Sequence, residues 1–331
     1  MGSSPSFPIV SLPRDRIVVV TGGNTGIGYE TAKHIAMMGA TVIIACRSEQ
    51  RATDAIRRMN DEYQEDRKND KLKEGHINED KLPIEFMQLD LASLKSTMKF
   101  IEAFKSSGRK LHVLLCNAGV AMVPRGQTED GYETHFQVNY LSHFLIVAHL
   151  LPIMKTSGED CRIVFTSSLG HKGARFDLEK AQAQNASDYG RMLYYANSKM
   201  YQIQHMFCLS RRLRGSDVTV TSMHPGTVST EITRNYSDMK CFSCLVSCFD
   251  SMKALRTPYQ GAVTLIDLAV NPKYKGTTDV YFVDCKSSSI ARLARNEQYQ
   301  EDLWNYSVEC LKQYLPADIT ASLDMPQDGN Q

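Results

Sequence analysis

Six short apolar runs, at residues 16–21, 41–45, 83–89, 111–116, 161–166 and 218–223, alternate along the chain with helix-length segments. They are rich in β-branched residues and continuously apolar rather than alternating. Such runs suit strands buried on both faces, because an open antiparallel sheet leaves every second side chain in water. The pattern predicts a single α/β domain built on a doubly wound parallel sheet, with helices packed on both faces. No internal repeat and no Pro/Ser-rich linker divides the chain. The domain is expected over residues 14–315, with a flexible N-terminal segment at 1–13 and a flexible tail at 316–331.

Composition narrows the classes of function. The 331 residues are 42% hydrophobic and 23% charged, with a formal net charge of +1, as in an ordinary globular protein. A nucleic-acid partner is excluded as an expectation, because phosphate recognition concentrates an excess of Lys and Arg. Nine cysteines without a regular framework read as reduced thiols in a cytosol-facing protein. The first residues hold no apolar run long enough for a signal peptide. Gly2 and Ser6 fit the loose myristoylation pattern, which is short and common. The charged stretch at 61–81 reads as a solvated helix end and loop.

Directly after the first run comes Thr21-Gly22-Gly23-Asn24-Thr25-Gly26-Ile27-Gly28, opening into a segment of helical periodicity. Glycines there permit a tight turn, let backbone approach a pyrophosphate, and leave that anion at a helix N-terminus. At the end of the second run stands Ala45-Cys46-Arg47-Ser48, with no acidic residue to meet a ribose 2′-hydroxyl. Arg47 could pair with a 2′-phosphate instead, so NADP(H) is the expected cofactor. Asp90 and Leu91, after the third run, are expected near the adenine.

Tyr195 and Lys199 lie four residues apart, hence on one face of a helix. A phenol is a poor acid–base catalyst at neutral pH until a nearby cation favours its phenolate, and Lys199 supplies one. Tyr-x-x-x-Lys alone is a common accident. Here it is accompanied in chain order by the glycine turn, Asn117-Ala118-Gly119, Asn139, Ser167-Ser168 and Pro225-Gly226.

With these motifs the sequence resembles the short-chain dehydrogenase/reductase superfamily over residues 14–315, which implies a Rossmann-type fold. Within it, the chain looks most like the retinol dehydrogenase branch, with kinship to the dehydrogenase domain of the WW-domain-containing oxidoreductase. Ala45-Cys46-Arg47, the 128–133 stretch, His224-Pro225-Gly226 and the 281–286 stretch carry that likeness, while Tyr140 and Ser142 stand where His and Gly would be expected. The resemblance implies Tyr195 as general acid/base, Lys199 lowering its pKa and holding the nicotinamide ribose, and Ser168 bonding the reacting oxygen. It implies that Asn139 holds a water that passes protons to Lys199. Gly22, Asn24, Thr25, Gly26, Ile27, Gly28, Asn117, Ala118 and Gly119 would line the cofactor, with Pro225, Gly226, Val228 and Thr230 bordering the nicotinamide.

The expected substrate is a small apolar alcohol or its carbonyl compound, retinoid-like, long-chain or isoprenoid. A steroid or other ketone, and a catalytically silent nucleotide-binding module, are the alternatives. By the resemblance, residues 240–256 roof the active site. Phe242, Leu245, Val246, Phe249 and Met252 recur there at near-helical spacing, flanked by Lys240, Lys253 and Arg256, which leaves peripheral contact with an intracellular membrane open. Self-association into a homo-oligomer is open as well. No metal is expected. The histidines lack ligand spacing, and Cys241, Cys244 and Cys248 lack a fourth ligand.

Overall fold

The computed structural model describes residues 5–185, 187, 189–228 and 255–323. All six apolar runs are strands: β1 (Ile17–Thr21), β2 (Thr41–Cys46), β3 (Ile84–Gln88), β4 (Val113–Cys116), β5 (Cys161–Thr166) and β6 (Val218–His224). Two further strands, β7 (Val280–Val283) and β8 (Lys286–Ser287), complete one eight-stranded sheet of order β3-β2-β1-β4-β5-β6-β7-β8. Neighbours from β3 to β7 pair in parallel, and β8 returns antiparallel to β7. The single doubly wound domain is as expected. β7 and β8 were not read from the sequence, because four and two residues are too few for a periodicity.

Side chains alternate across the sheet, so β1 sends Ile17 and Val19 into one core and Val18 and Val20 into the other. The second core is closed by α1 (Gly26–Met37), α2 (Glu49–Lys68) and α7 (Pro258–Val270). The first is closed by α3 (Leu94–Ser106), α5 (Ser142–Lys155), α6 (Arg191–Arg212) and α8 (Glu297–Leu311). A single turn, α4 (Thr134–Phe136), and a π-helical turn at Gln137–Leu141 lead directly into α5. The continuous helix Thr134–Lys155 is long and apolar enough to cross a membrane, but 89% of that apolar window is buried inside the fold. It is a core helix.

Both termini depart from expectation. Residues 1–13 were expected to be flexible, yet Phe7, Ile9, Val10 and Leu12 pack half-buried against the second core. Phe7 sits edge-on to His34 and Tyr259, and Leu12 donates its N–H to the Met38 carbonyl at 2.7 Å. Prolines and serines hide this arm from any periodic pattern, but four apolar side chains are enough to dock it. The domain also continues past residue 315 through α9 (Ala317–Ser322), which buries Ile319 and Leu323 in the first core. The charged stretch after Asp61 is likewise more anchored than expected. Tyr63 is fully buried, and its hydroxyl donates to the carbonyls of Ile77 and Glu79.

Deletion of residues 1–13 is therefore expected to destabilise the protein. The four half-buried apolar side chains would lose their packing against the second core. Denaturant unfolding of the truncated and full chains would measure it, and equal midpoints would mean the arm contributes nothing.

Candidate active site

The chain departs to opposite faces of the sheet after β1 and β4, which opens a crevice at their C-terminal ends. One side of that crevice is the glycine turn. Gly22 and Gly26 have φ of +69° and +58°, a region that side chains with a Cβ rarely adopt. Gly28 lies under the turn, where a Cβ would come within 2.3 Å of the Gly22 carbonyl oxygen and 2.7 Å of Asn117 Nδ2. Ile27 packs against the second core. Asn24 sits within the turn. Thr25 is the N-cap of α1, yet its side chain makes no capping bond and no acidic residue occupies the first turn. Among the described residues the N-terminal N–H groups of α1 thus have no side-chain cap, an arrangement that fits a pyrophosphate.

Arg47 is exposed at the end of β2, immediately before Ser48 caps α2, and no described residue pairs with it. Asp90 accepts the Ala92 N–H at 3.0 Å in its own loop. Leu91 is buried in the first core, and its carbonyl accepts from Gln137 and Ser142. The Leu91 side chain is thereby committed to packing.

Thr21, the first residue of the turn motif, is the hub joining β1 to β4. Its hydroxyl oxygen accepts the N–H groups of Asn117 and Ala118, both at 2.9 Å, and Asn117 Nδ2 donates to the Thr21 carbonyl at 3.0 Å. His143 Nε2 lies 3.0 Å from the same hydroxyl. Burial pushes His143 down to about 3, so the ring is neutral. Its Nδ1 is 3.2 Å from the Asn139 carbonyl, which can only accept. Nδ1 therefore carries the proton, and Nε2 accepts from Thr21.

Asn139 lies in the π-helical turn and is fully buried. Its side chain grips one residue twice, accepting the Val120 N–H at 2.7 Å and donating to the Val120 carbonyl at 2.9 Å, and also donates to Ser198 Oγ. The loop Asn117-Ala118-Gly119 is thus clamped at both ends. Gly119 is needed because a Cβ there would lie 3.0 Å from Asn139 Oδ1 and 3.3 Å from Lys199 Nζ. The Asn139 carbonyl faces His143 Nδ1 and also accepts from Gln202 Nε2 at 2.8 Å. Tyr140 and Ser142 are built into the packing, as Tyr140 bonds Ser307 Oγ and Ser142 bonds the Leu91 carbonyl.

Ser168 follows β5 and caps the short 3₁₀ helix Leu169–Gly173, with its Oγ accepting the Gly170 N–H at 3.1 Å. Tyr195 lies beside it on α6. Burial raises the Tyr195 pKa above the ordinary phenol value, and the hydrogen bond to Ser168 opposes that rise. One turn further on, Lys199 is buried, and its ammonium donates to the Thr166 carbonyl at 2.8 Å and to Gln202 Oε1 at 3.3 Å. It stands 5.9 Å from the Tyr195 ring centre. Desolvation pushes Lys199 down to about 7. Ser168, Tyr195 and Lys199 are brought together as the motif order predicts.

Pro225 and Gly226 follow β6 at the same sheet end. Arg256 Nη1 donates to the Pro225 carbonyl, its N–H donates to the Thr227 carbonyl, and its guanidinium pairs with Asp284 at 2.5 Å. Arg256 fills the space where a Gly226 Cβ would stand, 2.5 Å from its Cδ. Arg256 was grouped with residues facing lipid headgroups; the structure instead commits it to this clamp, because its carboxylate partner sits on the β7–β8 turn. Val228 is buried and pairs with Arg256 in a single β-bridge. Thr230, together with Lys240, Phe242, Leu245, Val246, Phe249, Met252 and Lys253, lies outside the described residues, as do Cys241, Cys244 and Cys248. Among the described residues no cluster of His, Cys, Asp or Glu could hold a metal, and the described cysteines are all free thiols.

Sequence reasoning missed Thr21, His143 and Gln202. Gln202 was within reach of it, three residues after Lys199 and seven after Tyr195, hence on their helix face.

A parallel sheet with an anion-ready glycine turn at its switch point, and Ser, Tyr and Lys converging beside it, defines a nucleotide-dependent oxidoreductase. The chain belongs to the short chain dehydrogenase family, whose model matches residues 16–68 and 62–240. It is 38% identical to retinol dehydrogenase 11 of Homo sapiens over 309 residues, covering 93% of this chain and 89% of that protein. It is 36% identical to polyprenol dehydrogenase of Homo sapiens over 311 residues, covering 92% and 87%. Among solved structures it is similar to an uncharacterized protein from Mycobacterium paratuberculosis, with a TM-score of 0.70 and 25% identity over 94% of this chain and 98% of that one.

The buried ammonium has a consequence for stability. A lysine whose pKa falls from the usual value to about 7 on folding resists the proton that the unfolded chain accepts. The penalty is complete below pH 7 and fades as pH rises towards the unfolded value of about 10.4. Lys199→Met lacks it. Its thermal midpoint relative to wild type is expected to be most favourable at pH 6 and to lose ground by pH 9; a difference independent of pH would mean the lysine is not desolvated in the folded state.

Proposed function

We propose that the protein is an NADP(H)-dependent oxidoreductase that interconverts an apolar alcohol and its aldehyde or ketone, with Tyr195 as general acid/base. The observation that carries this reading is the convergence of the Ser168 hydroxyl, the Tyr195 phenol and the buried Lys199 ammonium at the end of β5. The residues fit a nicotinamide nucleotide. Gly22, Gly26 and Gly28 leave the backbone bare, the α1 N-terminus is open, and Gly119 keeps the approach to Lys199 clear. When bound, that cofactor supplies or takes up the hydride.

The chain's own residues handle the proton and the oxygen. In reduction Tyr195 Oη gives its proton to the carbonyl oxygen, and in oxidation it takes one from the alcohol. Ser168 Oγ steadies the charge that develops on that oxygen. The Lys199 cation favours the phenolate of Tyr195, alongside the Ser168 hydrogen bond that opposes the effect of burial on the phenol. Asn139 does not touch the substrate in this scheme; it holds the Gly119-Val120 backbone against Lys199.

An apolar substrate is supported by what surrounds these groups. Leu169 and Met192 are 53% and 42% exposed, among only three large exposed hydrophobics in the described residues; Leu169 follows Ser168 directly and Met192 stands three residues before Tyr195 on α6. Exposed apolar side chains beside a polar reaction centre suit a greasy ligand. The names of the two relatives, retinol and polyprenol dehydrogenase, point the same way. NADP(H) rather than NAD(H) rests on Arg47, exposed and unpaired among the described residues, and on the lack of an acidic residue in Ala45-Cys46-Arg47-Ser48 at the end of β2.

All-trans-retinal, a long-chain aldehyde, a polyprenal, a steroid ketone and a short aldehyde, each offered with NADPH, would test the reading by loss of nicotinamide absorbance. Turnover is expected with the first three, and none with any carbonyl would reject it. Tyr195→Phe should lose ~10²–10⁴-fold in turnover while still binding NADPH, and retention of more than about a tenth of the activity would remove Tyr195 from the role. Arg47→Asp should weaken NADPH about 10–100-fold, the worth of charge-assisted hydrogen bonds to a phosphate, and barely affect NADH. Equal losses for the two nucleotides would reject the 2′-phosphate contact.

A further inference from the structure

The described surroundings of Lys199 are unusual for a cation. The ammonium is buried, no described carboxylate pairs with it, and its protein acceptors are two neutral oxygens, Thr166 O and Gln202 Oε1. Gln202 is itself fully buried on α6, a single turn after the lysine. A primary amide in such a place is costly unless both ends are satisfied. Both are, and in a particular order. Oε1 faces the ammonium at 3.3 Å, while Nε2 donates to the Asn139 carbonyl at 2.8 Å.

The orientation of the amide follows from its neighbours. A carbonyl cannot donate and an ammonium cannot accept, so a flipped amide would set Nε2 against Lys199 and Oε1 against the Asn139 oxygen. The π-helical turn at Gln137–Leu141 fixes Asn139, whose carbonyl also takes the Nδ1 proton of His143, itself held by Thr21. The oxygen that Gln202 offers to Lys199 is therefore aimed by a chain of bonds running back to the β1–β4 junction.

We propose that Gln202 is a positioning residue of the active site, one that holds the Lys199 ammonium in place and stabilises its charged form through an amide polarity dictated by the Asn139 carbonyl. It touches neither substrate nor cofactor and acts through Lys199. An amide contact does this where a carboxylate would neutralise the cation that Tyr195 needs. A water in the same place could supply a similar oxygen, but without a fixed direction. The groups that face Lys199 and could confuse its titration are Tyr195 on α6 and His143 on α5, and His143 stays neutral across the working range because burial holds it at about 3.

Two near-isosteric substitutions separate this role from packing. Gln202→Met keeps the length and removes the oxygen, whereas Gln202→Glu keeps an oxygen towards Lys199 and adds negative charge. Lys199 would be titrated in the full chain by 13Cε-lysine NMR, its signal assigned by loss in Lys199→Arg. The midpoint is expected to fall by about one pH unit in Gln202→Met and to rise in Gln202→Glu, since loss of a hydrogen bond to the charged form disfavours it and an opposite charge favours it. The limb of the kcat profile that reports Lys199 should move the same way in each variant, with KM for the carbonyl substrate nearly unchanged. General damage to the core would not produce opposite shifts. Midpoints that stay put or move together would overturn the proposal, and so would failure of both variants to fold, which would assign Gln202 to the core. If Gln202→Met alone fails to fold, the direction in Gln202→Glu decides. The kinetic arm rests on the proposed reductase reading, but the NMR arm does not. Absence of turnover in wild type would therefore reject that reading and leave Gln202 to be judged by the titration of Lys199.

Discussion

The Lys199 ammonium, buried among neutral oxygens, is the interaction around which the active site is built. Burying a cation without a counter-ion opposes folding, and here the ordinary remedy of an adjacent carboxylate is not used among the described residues. The protein instead supplies oriented carbonyl dipoles. Thr166 O comes from the end of β5, Gln202 Oε1 from α6 itself, and the Ser167 hydroxyl ties the Lys199 carbonyl back to β5. One turn earlier on α6, the Tyr195 phenol is made a weaker acid by burial, and its hydrogen bond to Ser168 opposes that rise. A site of this kind depends on the whole sheet end being in register, because each dipole comes from a different strand, turn or helix.

That register is set at the β1–β4 junction. Thr21 accepts from the Asn117 and Ala118 N–H groups, and its single hydroxyl proton lies between His143 Nε2 at 3.0 Å and the Leu115 carbonyl at 3.3 Å. His143 passes the constraint to the Asn139 carbonyl, and Asn139 passes it through its side chain to Val120. The nucleotide turn on one side of the crevice and the proton-handling groups on the other are thus joined by one satisfied network. In a buried network each donor fixes the acceptor role of its neighbour, so the tautomer of His143 and the polarity of the Gln202 amide are consequences of position. Across the sheet end, the Arg256–Asp284 pair does a comparable job for Pro225 and Gly226.

A good deal of this was legible from residues alone. Continuous β-branched runs announced six buried parallel strands, since periodicity survives in any strand long enough to show it. The glycine turn, Ser168, Tyr195 and Lys199 were legible because their chemistry depends on residue type and on local spacing along a turn or helix. The missed elements share a different property. β7 and β8 are too short to carry a pattern, and the N-terminal arm packs through four apolar residues spaced by prolines and serines with no period. Thr21, His143 and Gln202 look like ordinary polar residues until distant segments are brought against them.

The sequence by itself therefore determined the class of fold, the family, the glycine turn after β1 and the Ser168, Tyr195 and Lys199 motifs, all of which rest on short-range order. Only the tertiary structure decided that the N-terminal arm and α9 belong to the domain, that Arg256 is clamped to Asp284 and the Pro225-Gly226 loop, and that the Asn139 carbonyl is taken by Gln202. The physical reason is the same in each case. These facts are hydrogen bonds and packing contacts between residues well separated in the chain, 28 positions for Arg256 and Asp284 and 63 for Gln202 and Asn139, and no local pattern records which partner a buried polar atom or a half-buried apolar one will meet.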